Sequence, residues 1–246
     1  GIVLDGDELT AAVAVSFPDG FTTVSRLSLA TSASTQVWAA DGSFEFNNPL
    51  RRGNSLYFSS NEVDAPARDG IFRMPYPGGD PERIIDWRVT PIVYGMVRLN
   101  DTLYFSSDTP NHHGLHSMPI DGGTPVLLYR PVFGVTSVAA GDGRVFWAEL
   151  GEDGNGGLVK TSALDGSDLR TLATLADRVE DLAVDDETVY VATRHNDVMG
   201  ISAVPVVGGP SSVLVGASRV DRLSQDADYL YFVGNSGVYR LRKHVP

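Results

Sequence analysis

A pair of adjacent residues led by an aromatic ring returns along this chain at a nearly fixed interval. Tyr57-Phe58, Tyr104-Phe105, Phe146-Trp147, Tyr190-Val191 and Tyr231-Phe232 begin 47, 42, 44 and 41 residues apart. Each pair lies in a short alternating segment bounded by turn residues. A period in the low forties built from such segments describes four-stranded units arranged around an axis, an all-β β-propeller. This limits a ligand as well as the fold. Inner strands line a central channel and the loops gather on two faces, so the channel mouth is the default site.

The third unit shows the pattern most clearly. Ile92–Leu99 reads as its first strand, Asn100-Asp101 as a turn and Leu103–Ser107 as the second strand. The loop Asp108–His113 leads to a third strand, Leu115–Ile120, and Asp121-Gly122-Gly123 turns the chain into a fourth, Pro125–Tyr129. Asn-Asp and Asp-Gly between apolar runs tolerate the positive φ of tight turns. A degenerate first unit is recovered from Val24-Ser25-Arg26-Leu27 as third strand and Gln36-Val37-Trp38 as fourth. One domain of six blades is expected, near 1–41, 42–88, 89–131, 132–177, 178–217 and 218–246. The last unit stops after Val238–Leu241, one strand short. Gly1–Leu4 suits either the completion of that blade or the inner strand of the first.

Composition restricts the partners. A net charge of -12 argues against nucleic acid and anionic membrane surfaces, and no apolar run approaches membrane-spanning length. The acidity admits cationic partners and calcium. Cysteine is absent, so disulfide and thiol chemistry are excluded. Residue 1 is Gly rather than Met, from which a piece of a longer, multidomain protein is expected.

The repeats resemble a known family. Tyr57-Phe58-Ser59-Ser60, Tyr104-Phe105-Ser106-Ser107 and Phe146-Trp147-Ala148-Glu149 look like degenerate copies of the Tyr-Trp-Thr-Asp motif. Leu164-Asp165-Gly166-Ser167 and Leu182-Ala183-Val184-Asp185 are similar to its flanking pieces. The likeness is to the YWTD propellers of the low-density-lipoprotein receptor group, with the periplasmic TolB-type propeller as near neighbour. It implies six blades, a protein-interaction scaffold and an extracytoplasmic address.

Counting ten residues back from each leading aromatic gives Asn47, Tyr94, Thr136, Glu180 and Asp221; one step on are Asn48, Gly95, Ser137, Asp181 and Arg222. Packing alone would repeat apolar residues at equivalent positions, yet these are polar and differ between blades. They therefore suit a channel mouth, or simply the wet wall of the channel. Arg88, Arg130, Arg178 and Arg219 precede inner strands at equivalent junctions. They suit bidentate recognition of carboxylates, or ion pairs with Asp86, Asp177, Asp181 and Asp221. Trp87, Tyr129 and Phe133 lie at the same junctions, and aromatic rings beside arginine are a common interface composition.

The leading aromatics themselves read as packing between blades. Glu152, Asp153 and Asn155 offer oxygen ligands without the full calcium-loop pattern, and His112, His113 and His116 lack the partners of a zinc site. Signatures of hydrolases, zinc peptidases, P-loops, dinucleotide folds and sialidases are missing. The expectation is a non-catalytic module that binds a peptide or protein segment and requires no cofactor, with calcium admissible. Trp87, Tyr94 and Phe133 would stack, Arg178, Arg219 and Arg222 would hold carboxylates or carbonyls, and Glu180, Asp181 and Asp221 would take cationic or N–H groups. The alternative is a calcium-dependent lactonase. It rests on a likeness to six-bladed enzymes that hold a metal at the channel mouth, with Glu180, Asp221, Asn47 and Asn48 as ligands.

Overall fold

The computed structural model describes residues 2–5, 8–15, 21–28, 30–41, 47–60, 69–85, 92–108, 112–152, 154, 156–195, 198–217, 220, 222–234 and 237–243. Among them the secondary structure is strand throughout, in six antiparallel sheets. The first joins β1 (Ile2–Asp5), β2 (Glu8–Val15), β3 (Phe21–Ser28) and β4 (Ser34–Asp41). The second joins β5 (Asn47–Arg52), β6 (Ser55–Ser60), β7 (Gly70–Pro75) and β8 (Glu82–Arg83). The third holds β9 (Met96–Leu99), β10 (Thr102–Ser107), β11 (Gly114–Pro119) and β12 (Val126–Tyr129). The fourth holds β13 (Val135–Gly141), β14 (Arg144–Leu150), β15 (Gly157–Ala163) and β16 (Arg170–Leu175). The fifth holds β17 (Arg178–Val184), β18 (Thr188–His195), β19 (Val198–Pro205) and β20 (Ser212–Ala217). The last has three strands only, β21 (Leu223–Gln225), β22 (Tyr229–Gly234) and β23 (Gly237–Arg242).

Strands neighbouring in sequence pair within each sheet, so every blade is a meander running outward from the axis. The inner strands β1, β5, β9, β13, β17 and β21 lie against one another in that order, and β21 meets β1 to close the ring. This settles the role of the N-terminal strand: β1 pairs with β2 as the inner strand of the first blade. The inner strand of the third blade is shorter than the apolar run suggested, beginning at Met96 rather than Ile92. Gly95 precedes it, pressed so close to the next blade that a Cβ would stand 2.6 Å from the Val138 nitrogen. The turn at Asn100 takes φ 55°, as an Asn turn permits.

The aromatic pairs explain the cohesion of the ring. Side chains alternate across a strand, so the two members of each pair face opposite neighbours. Tyr57 packs in one cluster with Phe105 and Met118 of the next blade, while Phe58 packs with Val24 of the preceding one. Tyr104 meets Trp147 and Val138, and Tyr190 meets Leu230 and Phe232, in the same way. All five leading aromatics are buried. Each contributes about 1.5–3 kcal/mol relative to exposure, and Tyr57, Tyr104, Phe146 and Tyr190 link two sheets that share no strand.

Beside these pairs, a third-strand side chain stacks on the second aromatic: Phe72 on Phe58 at 5.4 Å, His116 on Phe105 at 5.7 Å, Tyr239 on Phe232 at 5.4 Å. His116 thus occupies a ring position of the repeat. Lys160 holds the equivalent place opposite Trp147. Its ammonium bonds Glu149 Oε2 at 2.7 Å and the Tyr129 hydroxyl at 2.8 Å. Burial would lower the Lys160 pKa, but these two bonds outweigh it and the net shift is upward. Glu149 also accepts the Val132 N–H at 3.1 Å and so anchors the loop between the third and fourth blades.

Candidate functional site

Inner strands carry the site, and in the second, fourth and fifth blades a bulge interrupts the ladder near its start. The register of β13 on β14 shifts between Val135 and Ser137, and that of β17 on β18 between Val179 and Asp181. Thr136 and Glu180 are the extra residues. A bulge turns its side chain away from the ladder, here into a cavity of about 360 Å³ at the face formed by the loops before inner strands and after second strands. Tyr94, Asp108, Thr136, Arg178, Glu180 and Arg222 line it. The positions found by counting back from the aromatics are therefore bulge positions in the fourth and fifth blades.

Of the expected site residues, Tyr94, Arg178, Glu180 and Arg222 converge on this cavity. Tyr94 is 43% exposed, unusual for a large ring in a fold that buries its aromatics. Its segment is held rigidly: the Gly95 N–H donates to Ser106 Oγ at 2.9 Å, and the Asp108 N–H to the Ile92 carbonyl at 3.0 Å. The opposite wall is charged. Glu180 Oε1 lies 3.3 Å from Arg178 Nε and 2.9 Å from Arg194 Nε. The Arg178 Nε and Glu180 Oε1 atoms are buried yet angled away from hydrogen-bond geometry. Arg222 forms no ion pair among the described residues.

Asp181 points elsewhere. Its carboxylate accepts the Ser137 hydroxyl at 2.6 Å and the Leu223 N–H at 2.8 Å, while Ser137 Oγ accepts the Leu182 N–H at 3.2 Å. One buried carboxylate so ties the inner strands of three successive blades. It lines the narrower channel below, a cavity of about 230 Å³ shared with Asn48 and Arg222. Phe133 sits half-buried in the loop anchored by Glu149 and does not line the upper cavity. Trp87, Arg219 and Asp221 lie outside the described residues, as do Asp86, Arg88, Asp153, Asn155 and the loop 61–68.

The remaining candidates separate. Asn48 Nδ2 donates to Ser59 Oγ at 3.0 Å, and Ser59 donates to the Asn47 carbonyl at 3.4 Å. Glu180, flanked by two guanidiniums, is electrostatically poor as a cation ligand. Among the described residues no group of three His, Asp or Glu side chains could hold a metal. The histidines divide likewise: His113 Nδ1 pairs with Asp108 Oδ1 at 2.9 Å beside the cavity, while His116 is buried. The Asp108–His113 pair was not among the sequence candidates. Its signal was the placement of Asp108 at the first loop position after a second strand. The sequence also understated the serines after the aromatic pairs, whose hydroxyls at Ser59 and Ser106 fix the entry of the inner strands.

A closed ring of antiparallel blades with a polar, aromatic-edged cavity over its channel defines a β-propeller with a channel-mouth site. The fold is shared with a chain in the crystal structure of a nidogen/laminin complex, at a TM-score of 0.73 and 15% identity, covering 95% of this chain and 89% of that one. At this identity the likeness is one of fold. No family model matches the sequence, and no curated protein does.

Proposed function

We propose that this propeller is a non-catalytic binding module that captures an extended peptide or a loop of a partner protein across its channel mouth. One observation carries the reading: the exposed Tyr94 ring and the Arg222 guanidinium face a single cavity beside the Arg178–Glu180–Arg194 cluster. A rigid aromatic with an arginine that meets no carboxylate among the described residues is a composition that anchors peptides at small entropic cost. Arg178 and Glu180 would then add bidentate and N–H-accepting contacts at the rim. The chain of similar fold comes from a nidogen/laminin complex, a protein–protein assembly, which supports a protein-binding role. The YWTD-like repeats support an extracytoplasmic setting for such a module.

The test is binding of the purified chain to a broad peptide array, run with calcium and again with chelator. A sequence preference with affinity in the micromolar range, roughly -8 kcal/mol, is expected in both conditions. It should weaken about tenfold or more in Tyr94→Ala and in Arg222→Ala. A blank array, or binding indifferent to both substitutions, would refute the assignment. Lactone hydrolysis that required calcium and failed in Glu180→Gln would establish an enzyme instead.

A further inference from the structure

Among the described residues the sixth blade has three strands where the other five have four, and its third strand shows the consequence. In the second and third blades the third strands β7 and β11 are buried along almost their whole length beneath an outer strand. In β23 the residues Gly237, Val238, Tyr239, Arg240 and Arg242 are exposed. The opening glycine repeats this contrast. A Cβ at Gly114 would meet the Tyr129 carbonyl oxygen at 2.4 Å, and one at Gly200 the Val215 oxygen at 3.1 Å, both on outer strands. At Gly237 no described residue comes within 4 Å of that position. The N-terminal strand does not fill it, because β1 is bound to β2 at the axis.

Register within the repeat identifies what the edge would recognise. Tyr57 stands opposite Arg73, and Tyr231 opposite Arg240, so the two arginines are equivalent. The third, fourth and fifth blades place Ser117, Thr161 and Ala203 there. Arg73 faces Glu82 of its outer strand, with Nη2 2.7 Å from Oε2. Arg240 lies over the Tyr229 ring at 4.8 Å and meets no carboxylate among the described residues. The second blade thus displays the arginine with its partner strand, and the sixth displays it without one.

We infer that β23 is a docking edge for an extended segment of another polypeptide, which adds as an antiparallel fourth strand and sets a carboxylate opposite Arg240. Main-chain hydrogen bonds supply the affinity in such strand addition, and the Arg240–carboxylate pair fixes register. This surface is distinct from the channel mouth.

The probe is a fluorescein-labelled hexapeptide copying residues 80–85, Asp-Pro-Glu-Arg-Ile-Ile, titrated against the whole chain by anisotropy. Saturable binding is expected with a dissociation constant on the order of 100 µM. Replacing the peptide Glu by Gln, or Arg240→Gln in the protein, should weaken it at least fivefold. Methylating the peptide backbone nitrogens should abolish it. Tyr94→Ala should leave it intact, which separates this proposal from the channel-mouth reading. Absence of binding at 1 mM peptide, or equal affinity of the Glu and Gln peptides, would overturn the inference. So would a dimer in sedimentation velocity that Arg240→Gln dissolves, since the edge would then belong to a second copy.

Discussion

His116 makes the stability of this propeller sensitive to mild acid. The ring is 3% exposed, stacks on Phe105 at 5.7 Å and donates from Nδ1 to the Gly114 carbonyl at 3.2 Å. Burial pushes its pKa down to about 4, against the upward pull of that bond, with His112, His113 and Arg130 adding smaller repulsions. The unfolded chain protonates this side chain near its ordinary 6.5, so between pH 6.5 and 4 the unfolded state binds more protons. Stability is therefore complete above the unfolded value and falls as the pH drops toward the folded one. The full shift corresponds to about 3 kcal/mol, of which roughly 2 kcal/mol is lost between pH 7.5 and 5.0. The equivalent ring positions hold Phe72 and Tyr239, so His116→Phe is the replacement the repeat itself uses.

Urea unfolding followed by tryptophan fluorescence at the two pH values gives the comparison. The natural chain should lose about 2 kcal/mol more than His116→Phe over that interval. Carboxylates titrating in the same range contribute equally to both proteins and cancel. Identical pH slopes would refute the reasoning, because a buried neutral imidazole cannot be present without this proton linkage.

Removing the carboxylate in Asp181→Ala should cost about 2–3 kcal/mol, since the Ser137 hydroxyl and Leu223 N–H lose their acceptor; calorimetry should show the melting temperature fall by roughly 5–10 °C. Lys160→Met should cost about 3–5 kcal/mol by leaving the Glu149 charge buried, and Glu149→Gln in the same chain should recover most of the loss in urea unfolding. The two lysines of the chain are both sequestered, Lys160 against Glu149 and Lys243 3.3 Å from Asp185, so neither should acylate with an amine reagent until the chain is unfolded, as peptide mapping would show. Tyr190 and Tyr231 are pushed up to about 12 by burial and by their bonds to Asp185 and Asp226, so absorbance titration should find these two of the nine tyrosines ionising last.

What the sequence revealed, and what it concealed, divides according to physical cause. The fold was legible because packing between blades is a repeated demand: each sheet needs a large ring on either face, and the period-two alternation of Tyr57-Phe58 or Phe146-Trp147 writes that demand into adjacent letters. The site was legible only as a set of positions. Counting from the aromatics reached Thr136 and Glu180, which the bulges expose to the cavity, because a bulge repeated in several blades preserves spacing. The same count could not tell Glu180, at the rim, from Asp181, one residue on. The two carboxylates differ only in which neighbouring blade offers a hydroxyl or N–H, and those donors, Ser137 and Leu223, lie more than forty residues away in the chain. His116 concealed itself for the opposite reason. Beside His112 and His113 it reads as a loop cluster, yet alternation along the third strand gives it the place of a core ring. A repeat protein thus announces through its sequence what every blade shares; what a single blade does alone depends on contacts across blades, and there the charges of Glu180, Asp181 and Arg240 acquire their different roles.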